Sequence, residues 1–268
     1  MVRIGLVGCG TIGSRLAAAV QRYHTNDARI TALHDVDRAR ARALQRRLHH
    51  PAPIMSLARL IRTSRLVIEA ASVDVAGEVV RRALAARRDV LVMSVGGLLR
   101  DQSWRRLARR VGRKVYIPSG ALAGLDGVKA MATGRIRRLA LTTRKPPQAL
   151  ASAPWVRRRK LRLERLTHPV VLFEGSPRAV VQAFPQNTNV AAALALASGR
   201  SSARTRIRVV ADPTSRRNIH DLEVEGECGR LTCRIESRPS ANPKTSELAV
   251  RSAIVTLGQL LDPVVIGT

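Results

Sequence analysis

"IGLVGCGTIGSRLAAAV" occupies residues 4–20, and its reading decides the first half of the fold. The apolar run at 2–8 ends in glycine, as a short buried strand does. Gly8, Gly10 and Gly13 then spell G-x-G-x-x-G, and the chain from Thr11 to Tyr23 reads as a helix. Between a strand and a helix, such a loop is a phosphate cradle. The first glycine permits the tight turn, the second lets backbone approach a pyrophosphate, and the third lets helix and strand pack closely. The first helical residues, Thr11 and Ile12, present N–H groups to phosphate oxygens. A bare structural turn is the competing reading. Against it stands Asp35, which closes a second strand pattern at 28–35 and lies 22 residues after Gly13. A carboxylate there can bond the ribose hydroxyls of NAD. Arg38 and Arg40 follow closely and suit a 2′-phosphate, so NAD is expected first and NADP is tolerated. Cys9, inside the loop, reads as a small side chain that fits rather than a redox group.

The alternation continues beyond the loop. Strand patterns at 65–72, 89–98 and 114–121 are separated by helical stretches such as 36–50 and 75–88. Strands alternating with helices imply a parallel sheet with crossover connections. After about residue 121 the texture changes. Segments 134–145, 180–185, 205–213, 218–228 and 229–237 read as strands of a second sheet, with helices at 189–199 and 246–261. The fold class expected is α/β: an N-terminal Rossmann-type doubly wound parallel sheet over 1–120, and a second α+β domain on a mixed or antiparallel sheet over 121–242. The second domain is expected to bind substrate and to dimerise, while the helix within 243–268 returns to complete the first.

Composition narrows the function classes. The 268 residues are 45% hydrophobic but only 2% aromatic, so Ala, Val, Leu and Ile must build the core. No apolar run reaches the ~18 residues a membrane span needs, and the start lacks a leader's charged-then-apolar layout. A soluble cytoplasmic protein is expected. Cys228 and Cys233 lie within reach of one hairpin, but three cysteines form no disulfide framework and no zinc spacing. The net charge of +28 comes almost entirely from arginine. Such a charge admits nucleic-acid binding. Yet the arginines are scattered over many segments, stacking aromatics are nearly absent, and no helix-turn-helix, finger or RNP string occurs. A coding bias toward arginine explains the charge better, and nucleic acid is not an expected partner.

The second half carries more specific strings: "PSGALAGLDG" at 118–127, "TTRKPP" at 142–147, "FPQNTNVAAALALA" at 184–197, "DPTSRRNIH" at 212–220 and "PSANPKTSELAVRSAI" at 239–254. In this order, behind "GLVGCGTIG", the chain resembles the L-aspartate dehydrogenase family over essentially its whole length. The resemblance implies oxidation of L-aspartate with NAD or NADP to iminoaspartate, which hydrolyses to oxaloacetate and ammonia. It also implies a homodimer and a link to NAD biosynthesis. The family's cofactor-contacting alanine and asparagine would be Ala121 and Asn189, and its active-site histidine His220. The arginine-crowded segment 148–168 and the extreme charge depart from the family's usual character without touching a motif residue.

The residues make chemical sense of this. Amine oxidation needs a hydride acceptor, a base that works near neutral pH, and cations for two carboxylates. His220 sits at a loop-to-strand junction, whereas His24, His34, His49 and His50 belong to the first domain and His168 to an arginine-rich loop. For the carboxylates, Arg144 and Lys244 are candidates with Thr245 as a hydroxyl donor, and Lys145 is a further option. Thr245 or Ser246 also suits the cap of the terminal helix. Two alternatives stand beside this reading: a related dehydrogenase or imine reductase acting on another small amino or oxo acid, and an arginine-rich nucleic-acid-binding protein on a dehydrogenase scaffold.

Overall fold

A computed structural model describes residues 1–185, 189–199, 205–240, 246–264 and 266–267. The ten strands are β1 (Val2–Val7), β2 (Ala28–His34), β3 (Leu66–Glu69), β4 (Asp89–Val92), β5 (Val115–Tyr116), β6 (Ile136–Lys145), β7 (Val170–Gly175), β8 (Thr205–Ala211), β9 (Asn218–Gly226) and β10 (Gly229–Ser237). The α-helices are α1 (Thr11–Tyr23), α2 (Arg38–Gln45), α3 (Leu57–Thr63), α4 (Val73–Ala85), α5 (Ser103–Val111), α6 (Leu125–Met131), α7 (Pro147–Leu150), α8 (Pro154–Arg158), α9 (Pro177–Ala183), α10 (Asn189–Ala197) and α11 (Glu247–Gln259). The chain divides into two compact units, Met1–Pro118 with a C-terminal piece from Ser252, and Ser119–Arg251.

The first unit holds a five-stranded sheet in the order β2-β1-β3-β4-β5, with every pairing parallel. This is the doubly wound arrangement that the alternation implies. Its core packs Ile4, Leu6, Leu16, Ala17, Leu33, Ile68 and Leu91, together with Ala253 and Leu257 of α11. Full burial of each such Leu or Ile contributes roughly 1.5–3 kcal/mol. Strands β3 to β5 are shorter than the apolar runs that contain them. Segment 89–98, expected as one strand, leaves the sheet after Val92 and turns into a 3-10 helix over Val95–Leu99. The turn lies so close to α4 that a Cβ on Gly97 would strike the Val73 carbonyl.

The second unit holds a mixed sheet in the order β10-β9-β6-β8-β7. Strands β6 and β8 are parallel, and the other pairings are antiparallel. Its core packs Leu139, Leu141, Ile207, Val209, Leu222 and Val224 from the strands against Val180, Phe184 and Leu194. Three of the six aromatics meet here: Phe173 meets Trp155 edge-on at 4.8 Å between ring centroids and Phe184 at 6.0 Å. The other face of the sheet alternates charge. Arg138–Glu223 at 3.3 Å and Arg234–Asp221 at 3.0 Å are exposed pairs, each contributing little. Cys228 and Cys233 are free thiols.

One element departs from the sequence reading. Segment 180–185, expected as a strand, lies largely in α9. Ser176 caps that helix by accepting the Ala179 N–H at 3.3 Å, Pro177 fills the first turn, and Val180, Val181 and Ala183 are buried. The preceding Val170–Gly175 supplies strand β7 instead. A short apolar run does not distinguish strand from buried helix by periodicity, and the Ser-Pro start signal decides for helix.

Glu69, at the end of β3, is fully buried. Its carboxylate accepts the Ala71 N–H at 2.8 Å and the Ser94 N–H at 3.0 Å, fastening the loops that follow β3 and β4. Burial pushes its pKa up, against the pull of these donors. Substituting Glu69→Ala strands the buried Ser94 N–H and removes the acceptor of the part-buried Ala71 N–H, and should lower unfolding stability by about 2 kcal/mol in a denaturant melt. A loss under about 0.5 kcal/mol, the level of an ordinary surface change, would mean that the loops find other acceptors.

Candidate functional site

In the first unit the three glycines differ in what surrounds them. Gly8 has φ +93°, and a Cβ there would strike the Ala70 carbonyl. A Cβ on Gly13 would collide with the Gly8 carbonyl oxygen, so α1 packs on the loop at a distance only glycine allows. Around Gly10 none of the described residues lies within 4 Å of an added Cβ. The loop is therefore tight where it packs and open at the second glycine, as a pyrophosphate cradle requires. Gly10 is the N-cap of α1 and has no side chain to cap it, leaving the first turn with Thr11 and Ile12 to present its N–H groups. Asp35 ties the cradle to β2: Oδ2 accepts the Cys9 N–H at 2.7 Å and Oδ1 the Asp37 N–H at 2.8 Å. Each carboxylate oxygen keeps a second lone pair for a ribose hydroxyl. Cys9 is inert as a nucleophile, because burial and then the Asp35 charge push its thiol up to about 12. Arg40 pairs with Asp37 at 3.2 Å.

In the second unit a polar group closes one end of the apolar sheet face. The register sets Thr143 opposite His220 and Arg144 opposite Ile219. Strand alternation then places Thr143 and Lys145 of β6 on the same inner face as Asn218 and His220 of β9. All four are buried, His220 at 2% exposure and Lys145 at 4%. The Thr143 hydroxyl lies 3.1 Å from His220 Nδ1. Opposite Asn218 on β10 lies Ser237, whose hydroxyl is 2.7 Å from that of Ser246. The loop into β9 is held by Asp212, whose N–H donates to the Lys145 carbonyl at 2.9 Å and whose Oδ1 accepts from the Thr214 hydroxyl at 2.7 Å. Burial, and after it the Lys145 charge, lowers the His220 imidazole to about 3. Burial lowers Lys145 to about 8. At neutral pH the imidazole is neutral and the ammonium largely charged.

The comparisons with known proteins fit these two halves. A family model described as "Aspartate dehydrogenase, C-terminal" matches residues 126–260, and one described as "Homoserine dehydrogenase, NAD binding domain" matches 8–118. An L-aspartate dehydrogenase of Methanosarcina barkeri is 44% identical, with both chains covered in full. The chain belongs to the L-aspartate dehydrogenase family. The L-aspartate dehydrogenase of Methanocaldococcus jannaschii, 37% identical over the full length of both chains, is a more distant relative. Among solved structures, the aspartate dehydrogenase of Thermotoga maritima has the same fold, with TM-score 0.75, 23% identity and full coverage of both chains.

Family membership makes the placement of the remaining candidates informative. Ala121 is buried in the turn after Gly120, and Asn189 opens α10. A Cβ on Gly120 would sit 3.7 Å from Val190 Cγ1, so these two segments adjoin within the second unit. Arg144 does not join His220. It faces the other side of β6, its Nε 3.5 Å from Asp221 Oδ2 in an ion pair without hydrogen-bond geometry. Lys244 and Thr245 lie outside the described residues. Lys145, named only as a further option from sequence, is the buried cation beside His220. Thr143 and Asn218 were not singled out at all. The available signal was parity: Thr143 and Lys145, like Asn218 and His220, are two apart and share a face of a strand.

A depressed lysine pKa fixes the sign of a stability effect. Between pH about 8 and 10.5, the unfolded chain binds more protons at Lys145 than the folded chain, so stability from this group rises with pH across that window. Lys145→Met should abolish that rise, so the Tm gap between variant and wild type narrows as pH climbs from 8 to 10.5. A gap independent of pH would show that Lys145 titrates normally in the folded protein.

Proposed function

We propose that this chain oxidises L-aspartate with NAD or NADP to iminoaspartate, which water converts to oxaloacetate and ammonia. The observation that carries the reading is the full-length match to L-aspartate dehydrogenases together with a buried, neutral histidine at the polar end of the second sheet. The first unit supplies the dinucleotide cradle of Gly8, Gly10, Thr11, Ile12 and Gly13, with Asp35 for the ribose. Its carboxylate favours NAD over a 2′-phosphorylated cofactor. Ala121 and Asn189 are assigned to cofactor contact on the family pattern.

The cofactor, when bound, supplies the hydride-accepting chemistry. His220 handles the protons. With Nδ1–H donating to the Thr143 hydroxyl, Nε2 keeps its lone pair and takes a proton from the substrate ammonium. The freed nitrogen lone pair forms the C=N bond as hydride leaves Cα with its electron pair. Once His220 has released that proton to solvent, its neutral imidazole takes a proton from the water that adds to the iminium carbon and passes it to the departing nitrogen, so that collapse of the carbinolamine expels ammonia. The reading extends to a homodimer, a cytoplasmic location and a supply of iminoaspartate to NAD biosynthesis, with nucleic acid no partner. Among the described residues, no helix is long and apolar enough to cross a membrane.

The test follows absorbance at 340 nm with L-aspartate and NAD, then NADP. Turnover should be aspartate-dependent, with the higher kcat/KM for NAD. His220→Ala should lose about 10²–10⁴ in kcat, the usual worth of general acid–base catalysis, while still binding reduced cofactor. No turnover with aspartate, nor with oxaloacetate, ammonia and reduced cofactor, sinks the assignment.

A further inference from the structure

Asn218 combines two properties that a structural residue rarely shows together. Its side chain is fully buried, and among the described residues neither its side-chain amide nitrogen nor its side-chain oxygen has a hydrogen-bond partner. Burying an amide without partners carries its full desolvation penalty, so such a residue calls for a role that offsets it. It lies two residues before His220 on the same strand face. Thr143 pairs with His220 and Arg144 with Ile219, so Lys145 and Asn218 are the next residues along the two strands. The ammonium of Lys145 is itself buried there. An amide donor and a buried cation side by side, next to an imidazole, match the oxygens of a carboxylate. The Asn218 carbonyl oxygen remains as acceptor for an ammonium group.

We propose that Asn218 and Lys145 form the carboxylate subsite beside His220, with Lys145 supplying the charge and Asn218 the directed hydrogen bond. This assignment rests on the aspartate-oxidising reading above and names the groups that recognise its substrate. Because these side chains are buried, substrate entry requires local opening. In return the pocket offers its charge in surroundings where water does not weaken it. The arginines of the opposite face, such as Arg138 and Arg234, are exposed, where water screens their charge.

The experiment uses succinate, a dicarboxylate without the amine, as probe. Thermal shifts of the full chain are compared at matched ionic strength with sodium sulfate, because a chain of net charge +28 responds to any anion. Wild type should gain Tm with succinate beyond the sulfate control. Lys145→Met and Asn218→Leu should lose that gain, while Arg138→Gln, which removes an equal charge from the outer face, should keep it. The KM for L-aspartate should rise about tenfold or more in both inner-face variants, the loss of one charge-assisted bond. Affinity for reduced cofactor should stay within about twofold, which certifies a folded first unit. Asn218→Leu, or Asn218→Ala if the larger side chain does not fit, should leave the ligand-free Tm unchanged or higher. Turnover with an unchanged aspartate KM and succinate shift in the inner-face variants overturns the subsite. So does an Asn218 variant that only destabilises. Absence of aspartate turnover in wild type, with the succinate shift present and lost in the variants, overturns the substrate reading and leaves the carboxylate subsite standing.

Discussion

The antiparallel pairing of β6 with β9 is the constraint on which the chemistry of the second unit depends. Side chains alternate along a strand, so a slip of one residue would turn His220 and Asn218 outward and bring Ile219 and Asp221 in. The register is held from both faces. Leu139 opposite Val224 and Leu141 opposite Leu222 fill the inner row, where misalignment would expose leucine to water. On the outer row, Arg138 meets Glu223 and Arg144 meets Asp221. Each exposed pair is weak, but each would become a mismatch of charge with leucine after a slip. Apolar burial supplies the energy, charge alternation adds specificity, and together they deliver four polar side chains to one end of the face.

The first unit meets the same problem, positioning polar groups at strand ends, by steric means. Gly13 lets α1 approach the Gly8 carbonyl, and Gly8 lets the loop approach Ala70. Two carboxylates then fix the neighbouring loops by accepting backbone N–H groups: Asp35 from Cys9 and Asp37, and Glu69 from Ala71 and Ser94. They differ in consequence. Asp35 is only partly buried and keeps lone pairs for a ligand. Glu69 is sealed inside, where its role ends with the loops it holds.

The glycine loop was legible in the sequence because its constraints are local. Three glycines at fixed spacing, a strand before and a helix after leave little freedom, and Asp35 adds a second witness. That the first sheet is parallel follows from alternation of pattern. The strand limits do not, since an apolar run such as 89–98 continues past the point where the chain leaves the sheet. The difference at 180–185 has the same root: Val180, Val181 and Ala183 are buried on a helix, and a six-residue apolar run suits either structure. Among the site residues, His220 was reached through a motif string. Lys145 could not be, because 47 basic residues look alike until the fold shows which one is buried. Arg144, its neighbour and a candidate from sequence, lies on the opposite face from His220, which strand parity contains but composition does not.

Burial of Lys145 beside His220 looks at first like poor design for a base. Burial, and after it the Lys145 ammonium, holds the imidazole far below its ordinary range, and a base that weak has little tendency to take a proton. The difficulty resolves if the cation is a substrate anchor. A carboxylate seated against Lys145 places a negative charge in the same buried surroundings and offsets the second of the two causes that lower His220. The imidazole would then gain basicity when an acidic substrate is in place. An amine without a suitably placed carboxylate would meet the same histidine in its weak state. Discrimination would therefore come from the strength of the base as well as from the fit of the pocket, and both would trace to one lysine whose face is set by the β6–β9 register.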